Sequence, residues 1–311
     1  MSSVDTLRVI DFGRVSGLRS QTLWHAIAKG VSRGAPPTLS FMEPSEPYVS
    51  IGYHRSTSEL DPRVCGDGGL AVYRRMVGGG PVYIDEGQHF FQIVLPLDMA
   101  SARRGDAVRI LLEPAVRAFN DMGIDATLDE HNEVVVGDRK ICGHAAGQIE
   151  GAVVVVGNLI NSFDHTAAAS IANTPTEVVR EEFLAQMRRF VAATPTDAAG
   201  FNSAAVSRYG EALGLSPVYG TLRDDELQDL EEFDARFVDP EWVNAVDRPD
   251  NGTWQVKVKS GVWVGSAASN GHRVTASFRE GEIDSVHVEG PGETFPGMDE
   301  LLSEMASNAP V

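Results

Sequence analysis

The stretch Arg74–Asp85, RRMVGGGPVYID, joins two adjacent arginines to three consecutive glycines and a short apolar segment. Glycines in a row are typical of backbone that turns sharply or comes within hydrogen-bonding distance of a ligand. Arginines supply planar, bidentate donors that suit carboxylate or phosphate groups. A tight hairpin with two solvated arginines explains the same pattern, because glycine is the usual residue of such turns. The stretch alone therefore leaves a hairpin and an anion-binding loop open.

Length and composition indicate a globular protein with two domains. The 311 residues exceed what one hydrophobic core usually organises. The hydrophobic share of 42% and the charged share of 23% are those of an ordinary globular chain. The formal net charge of -18 opposes binding to nucleic acid, and no run of lysine and arginine offsets it locally. We therefore expect no nucleic-acid partner.

The N-terminus and the cysteine content predict a cytoplasmic location. No apolar run approaches the roughly 20 residues that span a bilayer, and the first residues lack a basic segment followed by an apolar one. The two cysteines, Cys65 and Cys142, are too few for a disulfide framework or for a zinc site built from cysteines. These features predict reduced thiols and no membrane partner.

The pattern of apolar residues predicts a domain that mixes strands and helices. Strands are predicted at 7–12, 39–42, 48–53, 70–73, 81–84, 90–95, 132–136, 140–146 and 151–160. Helices are predicted at 106–122, 181–191 and 203–213. The fully apolar run 153–156 is typical of a strand buried on both faces. Together these segments predict an α+β fold.

Near Asp197 the strand-rich pattern of the sequence gives way to an acidic, helical one, which predicts three regions along the chain. Residues 1–195 are predicted to form the main domain, residues 196–240 an acidic helical linker, and residues 241–311 a small α/β accessory domain. The last region contains four strand-like segments, at 253–258, 261–267, 272–279 and 282–289, and a helix at 298–305. We also expect a hinge near residues 235–252, whose closure orders the adjoining site.

A second cluster, Asn132–Gly143, reads NEVVVGDRKICG and places Lys140 just after a turn signal. A lysine at such a position is usually solvated. The small residues that follow, among them Gly143 and Ala145, leave room for a ligand or mark close packing of the strand. A third cluster, Pro47–Arg55 (PYVSIGYHR), reads by itself as a strand and its exit loop.

Taken in chain order, the three clusters resemble the signatures of the lipoate–protein ligase family, within the biotin/lipoate protein ligase superfamily. The family pattern p-x-v-x-I-G-x-h-Q is matched by residues 47–55, and R-R-x-S-G-G-G-A-V-Y-H-D by residues 74–85. The pattern N-D-(strand)-G-x-K-I-S-G-S-A is matched by residues 132–145. Order and spacing hold over about residues 20–165. The C-terminal region, with Glu241–Trp242 and its strands, resembles the family's accessory domain.

The resemblance implies a fold, a reaction and partners. The fold is a mixed-sheet biotin/lipoate ligase-type catalytic domain plus the accessory domain. The reaction activates lipoate, or octanoate, with ATP and Mg²⁺ to acyl-AMP and passes the acyl group to a lysine of a carrier domain. The carriers implied are lipoyl-accepting domains of 2-oxoacid dehydrogenase E2 subunits or of the glycine-cleavage H protein type.

The resemblance also implies which residues form the site. Adenylation joins a carboxylate to a triphosphate, so cationic groups must hold both. It assigns the catalytic role to Lys140 and an anion-holding role to Arg74 and Arg75. Asn132 and Glu133 match the family's pair near the adenylate, with Glu133 as the magnesium ligand. The substrate- and ATP-binding set is completed by Gly78, Gly79, Gly80, Pro81, Val82, Tyr83, Gly143, Ala145 and Asn158, of which Val82 and Tyr83 line the acyl channel.

Some positions depart from the family pattern. Val77 stands for Ser, Pro81 for Ala, Ile84 for His, Glu133 for Asp, Cys142 for Ser and His144 for Ser. The family run H-G-T-L-L corresponds here to residues 156–160, VGNLI, with Asn158 at the Thr position. Altered substrate choice, a divergent subfamily and lost activity are all consistent with these changes.

Two other functions stay open. A related octanoyl or lipoyl carrier-protein acyltransferase works through a cysteine thioester and needs an exposed thiol of lowered pKa. Cys142 lies two residues from Lys140, so on a regular strand the two side chains share a face. A small buried cysteine is the better interpretation of Cys142. The other alternative is a non-catalytic acyl- or nucleotide-binding paralogue.

Overall fold

The computed structural model describes residues 5–66, 69–100, 104–247 and 253–308. The strands in chain order are β1 Thr6–Val15, β2 Thr38–Pro44, β3 Tyr48–Ile51, β4 Ala71–Arg74, β5 Val82–Ile84, β6 Gln88–Pro96, β7 Thr127–Leu128, β8 Val134–Val136, β9 Arg139–Ile149, β10 Ala152–Ile160, β11 Ser216–Tyr219, β12 Thr253–Lys259, β13 Val262–Ser269, β14 His272–Arg279 and β15 Glu282–Glu289. The helices are α1 Gly17–Ser32, α2 Arg104–Asp121, α3 His165–Ser170, α4 Glu177–Phe190, α5 Ala198–Leu213, α6 Asp224–Phe237, α7 Pro240–Val243 and α8 Met298–Ser307.

The main sheet has the strand order β11-β1-β2-β6-β10-β9-β8-β7. Strand β1 runs parallel to β2 and β11, whereas the remaining neighbours pair antiparallel. Strand β10 lies in the middle of the sheet, and eight of its nine residues are buried. The mixed sheet and the buried central strand that the sequence predicts are confirmed.

Helices cover both faces of this sheet, which accounts for its long apolar strands. On one face α2 packs against α5, and the core there includes Phe119, Phe201 and Tyr209. On the other face α1 packs against α6, with Trp24 and Phe233 in the core. The mixed sheet with helices on both faces confirms the predicted α+β fold.

The segment predicted as a linker, 196–240, contributes directly to this domain. Strand β11 pairs with β1, and α5 and α6 cover opposite faces of the sheet. A buried ion pair joins Arg8 of β1 to Glu226 of α6, with 2.6 Å between Nη2 and Oε1. These contacts place residues 196–240 with the catalytic domain, although the division at 195 and 240 itself stays a prediction.

A small sheet and an accessory sheet complete the molecule. The small sheet has the order β4-β3-β5, and the accessory sheet is the predicted four-stranded meander β12-β13-β14-β15, closed on one side by α8. Val256 and Val258 of β12 pack into the same core as Phe183 and Met187 of α4. The accessory sheet is therefore anchored on the catalytic domain by apolar contacts.

Polar contacts reinforce that anchor. The buried carboxylate of Glu182 on α4 accepts from Ser285 Oγ at 2.6 Å and from Gln186 Nε2 at 2.8 Å. The predicted hinge lies partly in residues 248–252, which are outside the described part of the chain. Within the described ranges, none of the helices is long and apolar enough to cross a membrane.

Candidate active site

The three glycines after Arg74 and Arg75 form a loop that lies against the exit of strand β3. The Tyr53 amide donates to the Val77 carbonyl at 3.0 Å. A Cβ atom at Gly52 would collide with the Gly79 carbonyl, so only glycine lets the two backbones come this close. By contrast, a Cβ at Gly78 or Gly80 would meet no atom within 4 Å. One side of the loop is thus packed on protein and the other faces open space.

Arg75 holds the glycine loop from within. Its Nη1 donates to the Ser50 carbonyl at 2.9 Å and to Ser50 Oγ at 3.2 Å. Its Nε and Nη2 donate to the Gly78 carbonyl at 3.1 and 2.8 Å, and Nη2 also donates to the Gly80 carbonyl at 2.9 Å. All five N–H donors of the guanidinium are therefore used inside the chain. Burial lowers the pKa of Arg75 to about 10, so the group stays charged at neutral pH.

This arrangement fixes which way the loop amides point. In a trans peptide the N–H lies opposite the preceding C=O. Because the Gly78 carbonyl faces Arg75, the Gly79 N–H points away from Arg75, and the Gly79 carbonyl against Gly52 likewise turns the Gly80 N–H outward. Arg75 thus fixes the orientation of the Gly79 amide, packing against Gly52 fixes that of Gly80, and the donors of Arg75 are all used within the chain.

Arg74 binds backbone carbonyls of two other segments rather than those of the glycine loop. Its guanidinium is buried and donates to the carbonyls of Gly52, Tyr53 and Arg55 at 3.1, 3.0 and 2.6 Å. It also donates to the carbonyls of Trp242 and Val243 in α7, the latter at 2.7 Å from Nη2. Backbone carbonyls occupy the donors of both arginines, and the direct anion contact expected of them stays a prediction.

The start of the loop is fixed by a buried histidine of α1. His25 Nε2 lies 3.1 Å from the Met76 amide, which can only donate, so Nε2 is the acceptor. The proton is then on Nδ1, which donates to the Gln21 carbonyl at 2.6 Å. Burial lowers the pKa of His25 to about 3, which keeps the imidazole neutral. His25 was not among the residues that the sequence singled out.

Alanine variants of two glycines test which side of the loop packs on protein and which side is open to a ligand. We expect Gly52→Ala to lower the free energy of unfolding by about 1–3 kcal/mol, because its methyl group overlaps fixed backbone. We expect Gly78→Ala to leave stability unchanged and to raise KM for a substrate bound at the loop, because its methyl group enters the open space. Chemical denaturation and steady-state kinetics of both variants give the comparison. Equal effects on stability would contradict this description of the loop.

The second part of the candidate site, after the glycine loop, surrounds Lys140. This residue lies at the start of β9, beside β8. Its Nζ is 2.7 Å from Oε2 of Glu133, whose side chain is only 3% exposed. The other oxygen of Glu133, Oε1, accepts from the Ser260 amide at 3.0 Å and from Ser260 Oγ at 2.8 Å. Burial by itself raises the pKa of Glu133, but the charge of Lys140, then that of His144, and these hydrogen bonds outweigh it and hold the pKa well below its usual range. The carboxylate is ionised and shared by both domains.

His144 lies at the edge of this pair. Its Nδ1 is 3.8 Å from Glu133 Oε2 and has no hydrogen-bond partner among the described residues. Burial and the positive charge of Lys140 lower the pKa of His144 to about 4, so the ring is neutral at neutral pH. Perturbed groups packed around a single carboxylate mark a candidate functional site.

The contacts of Asn132 and Glu133 do not fit a magnesium ion. Asn132 has a φ of 61°, and its Oδ1 accepts from Arg109 Nη1 at 3.2 Å rather than facing Lys140. Oε1 of Glu133 accepts from Ser260, and Oε2 is ion-paired with the ammonium group of Lys140. A divalent cation there would meet the positive charge of Lys140 at close range. In the described site Glu133 is therefore the partner of the Lys140 ammonium group rather than a magnesium ligand.

Asn158 of strand β10 connects the segment after the glycine loop with the segment after Lys140 through side-chain contacts. The Asn158 amide group donates to Gln88 Oε1, and Gln88 Nε2 donates to the Tyr83 carbonyl at 3.3 Å. Gly143 pairs with Asn158, and a Cβ there would lie 2.6 Å from Asn158 Oδ1. Asn158 thus takes the space that glycine leaves.

The other residues predicted to bind the substrate or ATP lie near the contact between Asn158 and Gln88. Ala145 pairs with Val156 in the sheet and packs against the core beneath α1. Val77, which replaces the serine of the family pattern, is buried and would lie 2.7 Å from a Cβ at Gly147. Val82 is 40% exposed and follows the half-buried Pro81, whereas Tyr83 is buried.

Both cysteines are buried thiols. Cys142 is fully buried in the core against α2 and α5, and burial raises the pKa of its thiol to about 12. Cys65 is 5% exposed, and burial raises its pKa to about 11. The β8–β9 register shifts between Val134 and Val135, so the regular alternation expected between Lys140 and Cys142 is broken there. The interpretation of Cys142 as a small buried cysteine is confirmed, and the register shift interrupts the alternation that would put Lys140 and Cys142 on one face.

Comparison with known proteins identifies the fold's family. The family model of the lipoyl protein ligase A/B catalytic domain matches residues 18–194, more than half of the chain. The chain belongs to this family. The matched region contains the glycine loop, Glu133, Lys140 and Asn158, and it ends before the accessory sheet.

Curated relatives in this family carry two different activities in their names. The octanoyltransferase LipM of Kyrpidia tusciae is 26% identical over 77% of this chain and 98% of its own length. The lipoate-protein ligase LplJ of Bacillus subtilis is 30% identical, but over only 40% of this chain and 38% of its own length. The relatives therefore establish an enzyme family of ligases and octanoyltransferases, and not one of the two reactions.

Solved structures agree on the fold. A bi-partite lipoate protein ligase from Thermoplasma acidophilum, studied with its E2 lipoyl domain, has a TM-score of 0.68 at 24% identity, over 79% of this chain and 99% of its own. A lipoate-protein ligase A bound with ATP has a TM-score of 0.65 at 22% identity, over 78% of this chain and 100% of its own.

The structure thus brings some predicted residues together and separates others. Glu133 and Lys140 meet, as do Gly143 and Asn158, whereas Asn132 turns away toward Arg109. His25, Gln88 and Ser260 take part and were not predicted. Ser260 lies in a turn about 120 residues from Lys140 along the chain, and no local sequence signal links such distant positions.

Proposed function

We propose that this chain is a lipoate–protein ligase that uses ATP to convert lipoate, or octanoate, to acyl-AMP and then acylates a lysine of a carrier domain. The carboxylate oxygen attacks the α-phosphorus of ATP, and pyrophosphate leaves. The carrier amine, after losing a proton, attacks the acyl carbon, and AMP leaves. Both steps act on anionic groups and favour a cationic, preorganised site.

The observation that carries this proposal is the contrast between Lys140 and the thiols. Lys140 opens strand β9 with its ammonium beside a buried carboxylate, where it can bind a phosphate or carboxylate group. Both thiols of the chain are buried and have raised pKa values. A cysteine thioester mechanism needs an accessible thiolate. The chain therefore offers a cation for adenylate chemistry and no suitable nucleophile for the alternative.

The substrates and partners follow as parts of the same proposal. The ATP-bound ligase A and the ligase studied with its E2 lipoyl domain share this fold. We assign ATP as co-substrate, lipoate as acid, and a lipoyl-accepting domain of the E2 or H-protein type as acceptor. Magnesium enters with the nucleotide in this proposal. The loop amides of Gly79 and Gly80 approach the acyl phosphate, and Val82 and Tyr83 border the acyl chain.

The octanoyltransferase reaction is the second candidate, because relatives matched over nearly their whole length bear that name. One experiment separates it from the ligase. The chain is incubated with an apo carrier domain and either lipoate plus ATP and Mg²⁺, or an octanoyl-carrier without ATP. Transfer that requires ATP supports the ligase, and transfer from the octanoyl-carrier alone would overturn it. Nucleotide or acyl binding without any transfer would instead indicate a non-catalytic paralogue.

Cysteine variants test the same distinction at the level of residues. We expect Cys142→Ala to retain ATP-dependent transfer within about twofold of the wild-type rate, since the thiol does no chemistry and its loss is a small packing change. Cys65→Ala is the matched control for removal of a buried thiol. Loss of transfer in Cys142→Ala alone, with its melting temperature retained, would argue for the thioester mechanism.

A further inference from the structure

Lysine is scarce in this chain, and its placement is uneven. The sequence contains four lysines against 22 arginines. Three of the four, Lys140, Lys257 and Lys259, lie where the accessory sheet meets strands β8 and β9. Lysine differs from arginine in carrying a compact charge on a flexible stem, which suits a point contact with phosphate.

Only one of these three ammonium groups is without a carboxylate partner among the described residues. Lys140 pairs with Glu133 at 2.7 Å, and Lys259 pairs with Asp129 at 3.1 Å. Lys257 has no ion pair or hydrogen bond of its side chain within the described ranges. The flanking residues Val256 and Val258 pack into the core beside α4, so Lys257 lies on the opposite side of strand β12.

The surroundings of Lys257 are positively charged. Desolvation lowers the pKa of Lys257, and the nearby charges of Lys140 and Arg55 lower it further, against the opposing effect of Glu133. Arg55 belongs to the segment whose backbone carbonyl binds Arg74 at the base of the glycine loop. Lys257 is three residues from Ser260, which binds the same Glu133 carboxylate as Lys140, so an anion near Lys257 and Lys140 would relieve the repulsion between the two ammonium groups.

We propose that Lys257 binds the phosphate of the acyl-adenylate from the accessory side, opposite Lys140. The accessory domain would then supply one of the two ammonium groups that hold this anion. The position is set by the Ser260 hydrogen bonds to Glu133 and by the Lys259–Asp129 pair, which fix the end of β12 on the catalytic domain. The inference rests on the proposed function, because it assigns a residue to the nucleotide of that reaction.

Binding of AMP and of adenosine tests the inference directly, since the two differ by the phosphate alone. Calorimetry on the full chain is expected to show AMP binding roughly tenfold weaker in Lys257→Gln, with adenosine binding unchanged. Lys257→Arg keeps the charge and is expected to retain most of the affinity for AMP. Lys29→Gln removes the same charge from a lysine that pairs with Asp229 and Glu232 outside the site, and is the control, with AMP affinity close to wild type.

The outcomes separate this inference from the proposed function. Equal AMP affinity in wild type and Lys257→Gln would overturn the role of Lys257, whatever the activity. ATP–pyrophosphate exchange by the wild-type chain tests the function itself, and its absence with every acid would overturn the ligase while the AMP comparison stands. Equal loss of AMP and adenosine binding in Lys257→Gln would indicate a structural effect and would also overturn the phosphate contact.

Discussion

Lys140→Met is expected to reduce ATP–pyrophosphate exchange by about 10²–10³-fold, because it removes a charge placed where negative charge develops. The same change leaves the buried carboxylate of Glu133 without its cation, although Ser260 still binds one oxygen. An uncompensated buried charge lowers the free energy of unfolding by about 3 kcal/mol. Exchange kinetics and chemical denaturation measure the two effects separately.

A double variant distinguishes chemistry from stability. Adding Glu133→Gln to Lys140→Met removes the unpaired charge while keeping an oxygen for Ser260. We expect the double variant to regain most of the lost stability and to remain inactive in exchange. Recovery of exchange together with stability would show that Lys140 acts only through the fold, and the assignment of Lys140 as the catalytic residue would then be wrong.

Arg75→Met is expected to have the largest effect on the glycine loop. It removes five donors from the backbone and hydroxyl oxygens of Ser50, Gly78 and Gly80. Buried carbonyls left without donors cost about 1–3 kcal/mol each, so we expect the free energy of unfolding to fall by about 3–5 kcal/mol. Hydrogen exchange of the Met76 and Tyr53 amides, which bind His25 and the Val77 carbonyl, should accelerate, and KM for the acid should rise.

A surface arginine supplies the control for this variant. Arg208 pairs with Asp121 at the surface with 2.7 Å between Nη2 and Oδ1, and Arg208→Met is expected to change stability by less than about 1 kcal/mol. Arg75→Lys is expected to fall between the two, because one ammonium cannot span both sides of the loop. Unchanged hydrogen exchange of the Met76 and Tyr53 amides in Arg75→Met would contradict the supporting role of Arg75.

The sequence correctly predicted those strands and helices in which the spacing of the apolar residues agrees with the positions that are buried. Strand β10 and the C-terminal meander follow local patterns that only one kind of structure satisfies. Helix α1 was not predicted, because it is buried around most of its circumference and carries Ser20, Gln21 and His25 inside. Such a helix has no polar stripe and hence no clear period.

The roles of Arg74 and Arg75 show a second limit of prediction from the sequence. The residue types correctly marked the loop, but donors of arginine bind ligand anions and backbone carbonyls alike. Which of these occurs depends on long-range packing: α7 supplies two of the carbonyls that bind Arg74, about 170 residues away along the chain. The Glu133–Ser260 contact is hidden from the sequence for the same reason, whereas Glu133 and Lys140 are joined by one hairpin and were found together.

The burial of Cys65 and Cys142 matters for the substrate as well as for the mechanism. A lipoyl group carries a cyclic disulfide, and an accessible thiolate beside it would open that ring by thiol–disulfide exchange. Burial raises the pKa of both thiols in this chain, which removes the attacking species at neutral pH. The folded protein can therefore hold an oxidised dithiolane without forming a mixed disulfide, and it remains compatible with the cargo that its proposed reaction transfers.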